Sequence, residues 1–291
     1  MVRVFIAAVE GSPFLYGAYP YELISYYYRS VLGKEFWEKA TQLKCLMVDS
    51  GAHTFFTQAG VRRGASNRQK SPDPFDYVHD YCAWLTRHRN QIGTHVELDI
   101  DSLVGWEKQC QLRDVFETYN LDPVWVWHEC NKLSFEETCQ KRNYVGISSF
   151  EELKGNKSLP DKQIRKMLAI ADKYGTKVHI FGHSRFSDFE GLSYYKSFFS
   201  VDSSTMVLSG SKYAMACVWD ESRKDMHTLS KHDWARKFGT PECTEFTDLS
   251  YNDRVIWNYY QFMKGVPFWE SLNKEGEKQR RLDGFDGAMD S

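Results

Sequence analysis

The sequence predicts an α/β chain, a (β/α)8 TIM barrel with a short C-terminal helical extension. Two observations predict it. Short β-branched or aromatic runs recur along the chain, separated by longer amphipathic or polar stretches, which is the pattern of a parallel sheet with helical returns. The first such run is not followed by a Gly-rich dinucleotide turn, which favours a barrel over an open nucleotide-binding sheet. The expected boundaries are 1–230 for the barrel and 231–291 for an extension that packs on it.

Seven strand runs are visible in order: "VRVFIAAVE" (2–10), "CLMVDS" (45–50), "HVELDID" (95–101), "VWVWHE" (124–129), "YVGISS" (144–149), "KVHIFGH" (177–183) and "FFSVDSS" (198–204). The eighth strand is left between "TMVLSG" (205–210) and "MACVWD" (215–220). Helices fall between the strands. "DPFDYVHDYCAWLTRHR" (73–89) carries Phe75, Val78, Tyr81, Cys82 and Leu85 at helical spacing, with Pro74 suited to a first turn. "LPDKQIRKMLAIADKYG" (159–175) begins after Pro160 and stops at Gly175. "SDFEGLSYYKS" (187–197) opens on a Ser-x-x-Glu capping box. "VIWNYYQFMKGVPFW" (255–269) forms the final helix, and the polar residues from about 271 read as frayed. The aromatic run "SYYYRS" (25–30) reads as core or helix packing.

Bulk composition narrows the function. The chain has 291 residues, 42% apolar and 15% aromatic, enough for a sizeable core. A formal net charge of -2 excludes a strongly basic nucleic-acid coat protein but leaves room for an enzyme with a local basic face. The seven cysteines stand singly, with no C-x-x-C pair, which favours free thiols in a cytoplasm and argues against structural zinc. "MVRVFIAAVEGSP" is too short in its apolar run to span a membrane and reads as a first strand.

In a barrel, chemistry gathers at the carboxyl ends of the strands. There the sequence puts Asp49, Asp99, Asp101, His128, Glu129, Ser148, Ser149, Gly182, His183 and Asp202. Charges at a partly desolvated mouth cost free energy unless paired or used. Each acid alone reads as a turn or cap residue; Asp49 with Ser50 and Gly51 suits a simple turn. Taken together, paired carboxylates suit displacement at a sugar carbon, one as nucleophile and one handling protons.

Six segments, in order, resemble the tRNA-guanine transglycosylase superfamily and within it the 7-deazaguanine DNA transglycosylases of the DpdA type, which phages also carry. They are "VDSGAHTF" (48–55), "ELDID" (97–101), "VWVWHE", "VGISSF" (145–150), "HIFGHS" (179–184) and "SVDSST" (200–205). The resemblance spans roughly residues 1–215. It implies a glycosyltransferase that exchanges guanine in DNA for a 7-deazaguanine such as 7-cyano-7-deazaguanine, with no cofactor. By the same resemblance Asp202 is the nucleophile and Asp49 the general acid/base, while Asp99 reads the base. His53, His128, Ser148, Ser149, Phe181 and Gly182 line the base site. Whether Asp99 or Asp101 faces the base stays open. His128 stands where tRNA enzymes have Gln, Ser148-Ser149 replaces a Gly pair, and His53 replaces a stacking aromatic, so the base pocket is altered. The C-x-C-x-x-C zinc site of the tRNA enzymes has no counterpart beyond Cys243.

The implied partner is DNA, with the target nucleotide flipped out or single-stranded. Backbone contacts fall to Arg62, Arg63, Arg68 and Lys70 in "VRRGASNRQK" (61–70), which has four cations and no acid, and to Arg185. A helper protein stays open. The alternatives are a tRNA-acting transglycosylase and a non-catalytic nucleic-acid-binding homologue.

Overall fold

The computed structural model describes residues 2–52, 72–129, 131–148, 150–151, 157–158, 160–239 and 245–282. The chain divides into two compact units, Phe5–Ser148 and Met1–Val4 with Ser149–Ser291.

The strands are β1 Arg3–Ala7, β2 Tyr21–Ser25, β3 Cys45–Asp49, β4 Thr94–His95, β5 Trp125–Trp127, β6 Tyr144–Ser148, the short hairpin β7 Phe150–Glu151 and β8 Lys157–Ser158, β9 Lys177–Phe181, β10 Phe198–Ser203, and a second hairpin, β11 Ala216–Asp220 and β12 Asp225–Leu229. Eight of them form one sheet in the order β4-β3-β2-β1-β10-β9-β6-β5. The pairs β1–β2, β2–β3, β3–β4, β5–β6 and β9–β10 are parallel. The first and last strands of that order meet at a parallel bridge between Val96 and Val124, where Val124 N–H donates to His95 O at 2.8 Å and Glu97 N–H to Val124 O at 3.1 Å. The fold is α/β and TIM-barrel-like, as the strand–helix alternation predicts.

The eighth strand is neither of the expected candidates. It is β2, Tyr21–Ser25, paired with β1 and β3. Its apolar signature is interrupted by Glu22, which is buried in place and accepts the Gly17 N–H at 2.8 Å. Residues 205–210 are instead helical, and 216–220 pair antiparallel with 225–229. That hairpin is bound to the C-terminal helix: Asn258 Oδ1 accepts the Cys217 N–H at 2.7 Å, and Trp257 Nε1 donates to Cys217 O at 3.1 Å. "SYYYRS" forms a 3-10 turn over Tyr26–Val31, with Tyr26 buried against Tyr77, Tyr81 and Trp84.

The helices are α1 Lys34–Ala40, α2 Pro74–Arg87, α3 Asp101–Val104, α4 Trp106–Thr118, α5 Phe135–Lys141, α6 Asp161–Tyr174, α7 Phe189–Leu192, α8 Thr205–Ser211, α9 Lys231–Phe238 and α10 Tyr251–Leu282. The side chain of Asp73 caps α2, accepting from Phe75 and Asp76 N–H, and Pro74 takes the first turn. α6 ends at Gly175 with φ +64°, the left-handed conformation glycine tolerates. The Ser187–Glu190 capping box does not form. The Ser187 hydroxyl bonds Asp225 Oδ2 at 3.0 Å, so a tertiary acceptor outcompetes the local cap. The same Ser-x-x-Glu pattern does form a capping box at Ser134 and Glu137, leading α5. α10 continues through Leu282, further than the polar tail suggests.

Candidate functional site

Two polar clusters stand at carboxyl ends of strands, one in each unit. In the unit Phe5–Ser148, the run after β4 alternates its burial partners. Glu97 is fully buried and held by Arg113, Nε to Oε2 at 2.5 Å and Nη2 to Oε1 at 2.8 Å. Gln109 Nε2 and the Val126 N–H also donate to Glu97, at 3.0 and 2.7 Å. Glu97 is therefore a structural acid with its acceptor capacity filled. Two residues on, Asp99 Oδ2 lies 3.3 Å from His128 Nε2, and both side chains are 18% exposed. Burial pushes the Asp99 carboxyl above its ordinary range, against the pull of the His128 hydrogen bond. Asp101 is the first residue of α3 and is buried.

Asp49 ends β3, opposite Ser25 of β2. Its Oδ2 accepts the Gly51 N–H at 2.9 Å, and Gly51 sits at φ +85°. The simple-turn reading of "DSG" thus holds, and a Cβ at Gly51 would come 2.7 Å from Tyr27 Cβ. Below the turn, Tyr77 Oη donates to Ser50 O at 2.6 Å and Tyr81 Oη to Val48 O at 3.0 Å. Burial, followed by the charge of Asp49, raises both phenols above their ordinary value. Ser148 ends β6, half-buried.

In the other unit, Asp202 stands near the end of β10 with its side chain 13% exposed. Its Oδ1 accepts the Gly182 N–H at 2.8 Å and lies 3.2 Å from His179 Nε2. His179 Nδ1 in turn lies 2.8 Å from Ser200 Oγ. Phe181 packs edge-on to the His179 ring, with centroids 4.3 Å apart. The order Ser–His–Asp looks like a hydrolytic triad, but Ser200 and His179 are fully buried and only the Asp202 side chain of the three keeps any exposure. The chemistry of this cluster is therefore that of a presented carboxylate. Of the expected residues, Asp202, Gly182 and Phe181 are brought together here, and His179 and Ser200 join them without having been singled out. Their signal was the period-two spacing 179/181 and 200/202 on neighbouring strands.

Arg185 is 54% exposed, and its Nε lies 3.4 Å from Asp188 Oδ2, which also approaches the buried His183. Burial lowers the His183 pKa. His53, Arg62, Arg63, Arg68, Lys70 and Ser149 lie outside the described residues. Trp125 and Trp127 are packing residues: Arg113 and Arg142 stack on Trp125 at 4.1 and 3.9 Å, and Trp127 Nε1 donates to Leu133 O. Cys45, Cys82, Cys110, Cys139 and Cys217 are free thiols. Among the described residues, no group of three or more His, Cys, Asp and Glu side chains could hold a metal ion. Among those residues, too, no helix is long and apolar enough to cross a membrane.

No family model and no curated protein matches this chain. Solved structures do. A chain from Aquifex aeolicus VF5 is 11% identical over 70% of this chain and 84% of its own, with a TM-score of 0.43. A mutant tryptophan synthase alpha-subunit from the hyperthermophile Pyrococcus furiosus is 12% identical over 72% and 89%, also with a TM-score of 0.43. Similarity at this level carries nothing about function, and the fold rests on the strand order itself.

Proposed function

We propose that this chain is a DNA-guanine transglycosylase that replaces guanine with a 7-deazaguanine base, through a covalent intermediate on Asp202. The observation that carries the reading is the Asp202 carboxylate, presented at a strand end with both of its hydrogen bonds on Oδ1. That leaves Oδ2 as the attacking oxygen. Its electron pair forms the bond to C1′ as the C1′–N9 bond breaks, and the departing guanine takes a proton from a general acid, assigned to Asp49. The incoming base gives its N9 proton to the Asp49 carboxylate and displaces Asp202 at the same carbon, so configuration is retained and the glycosidic bond energy is conserved without ATP. Asp99 reads the base: a carboxylate accepts from both N1–H and the exocyclic amine of a guanine-like ring. The pair it makes with His128 orients it for that task. The target nucleotide is flipped out at a cost of about a few kcal/mol. Arg185 and the cations of residues 61–70 serve the DNA backbone. A cytoplasmic site of action, in the host when phage-encoded, belongs to the same reading.

The test is incorporation of labelled 7-cyano-7-deazaguanine into duplex DNA and, in parallel, into tRNA, by the wild type and by Asp202→Ala. Label in DNA that vanishes with Asp202→Ala is the expected result. Label in tRNA alone would move the substrate to tRNA. No label in either, from folded protein, would reject the exchange of this base.

A further inference from the structure

The reaction as written uses Asp202 and leaves two fully buried polar side chains behind it without a task. His179 and Ser200 are each 0% exposed. They are register partners on β9 and β10. Strand alternation puts Ser200 and Asp202 on one face of β10, so the imidazole can span from one to the other. It does so, with Nδ1 2.8 Å from Ser200 Oγ and Nε2 3.2 Å from Asp202 Oδ1.

We propose that His179 and Ser200 are positioning residues for Asp202: the Ser200 hydroxyl sets the imidazole tautomer, and His179 then determines which carboxylate oxygen attacks. A carboxylate only accepts, so the hydrogen between His179 and Asp202 belongs to Nε2. In the neutral ring Nδ1 then offers a lone pair, and the Ser200 hydroxyl 2.8 Å away has a proton to give it. This hydrogen arrangement satisfies all three contacts, and a buried group left out of it would be costly. With the Gly182 N–H as second donor, Oδ1 is engaged twice and Oδ2 carries neither bond.

The arrangement also suits the second half of the reaction. Once Oδ2 is esterified to C1′, Oδ1 is the ester carbonyl oxygen and keeps both donors. As the incoming base forms its bond to C1′, the C1′–Oδ2 bond breaks and its electron pair returns to the carboxylate. The Gly182 and His179 N–H groups are aimed where that charge develops. Taken with the transglycosylase reading, on which its catalytic meaning rests, this places the effect on kcat and not on binding.

The experiment has two arms. In the first, base-exchange kinetics are measured for His179→Ala, His179→Gln and Ser200→Ala, each checked for folding by circular dichroism. The kcat of His179→Ala should fall at least about tenfold, with KM for base and DNA held within about twofold. His179→Gln, whose amide N–H reaches the Nε2 position, should recover much of the loss. Folded His179→Ala with wild-type kcat, or a folded Gln variant no better than Ala, would overturn the assignment. The second arm needs no activity: the imidazole nitrogens of His179 are read by 15N NMR in wild type and Ser200→Ala. A ring protonated on Nε2 alone, losing that single form in Ser200→Ala, supports the assignment. A proton on Nδ1 in the wild type, or an unchanged spectrum in Ser200→Ala, rejects it. If the wild type exchanges no base, the functional reading falls and this arm still decides how Asp202 is held.

Discussion

Gly182 donates its backbone N–H to Asp202 Oδ1 over 2.8 Å, and it does so from a backbone at φ +67°. The carboxylate and the turn after β9 therefore specify each other. A side chain at residue 182 must adopt the left-handed conformation, at about 1–2 kcal/mol, or withdraw the donor. Gly182→Ala should lower the melting temperature modestly and reduce exchange kcat about tenfold, since a hydrogen bond to a charged group is worth about 1.5–3 kcal/mol. Thermal melts and single-turnover kinetics check this. An alanine variant with wild-type kcat would separate the turn from Asp202.

The Asp99–His128 pair yields a prediction about selectivity. Asn keeps one acceptor oxygen where Asp99 has two, and places a donor against the donors of a guanine-like edge. Asp99→Asn should weaken base binding by at least about tenfold, with kcat at saturating base changed far less. Calorimetric titration with the free base reads the affinity directly. Equal affinity in the variant would take Asp99 out of base recognition.

Glu97 and Arg113 form a buried ion pair in which breaking one side leaves an uncompensated charge. Arg113→Ala should cost about 3–5 kcal/mol in urea unfolding. Arg113→Leu combined with Glu97→Gln removes both charges and keeps an acceptor for the Val126 N–H and Gln109, so it should cost less than the single substitution. A double variant as unstable as Arg113→Ala would locate the loss in the Trp106 and Trp125 rings stacked on the guanidinium.

Glu22 makes stability depend on pH. Burial lifts its carboxyl from 4.5 to about 7, against the Gly17 N–H and Lys39. Between those values the folded chain holds a proton that the unfolded chain has released. The stabilising contribution is thus complete below the ordinary carboxylate range and is lost as pH rises through about 7. Glu22→Gln removes the titration. Above pH 7 the variant should be more stable than wild type by up to about 3 kcal/mol, and the gap should close in acid. Urea midpoints for both proteins across that range test the sign; a gap that widens in acid would reverse it.

Much of the barrel was legible because its strands are local events. β1, β3, β6, β9 and β10 are apolar, β-branched runs bounded by turn residues, and they fall within the predicted stretches. β2 was not legible, since Glu22 breaks the apolar run and only the Gly17 N–H and flanking strands accommodate it. The box at Ser187 was legible and misleading, because its hydroxyl finds Asp225 across 38 residues of chain.

Patterns a few residues long carried the fold class, the placing of Asp49 and Asp202 at strand ends and the turn chemistry of Asp49 and Gly51. Long-range packing set the rest: Tyr21–Ser25 completes the sheet, Asp99 meets His128, and His179 joins Ser200 to Asp202. The reason is register. Hydrogen-bond partners 21 to 29 residues apart are set by how parallel strands align, and no local periodicity encodes that alignment.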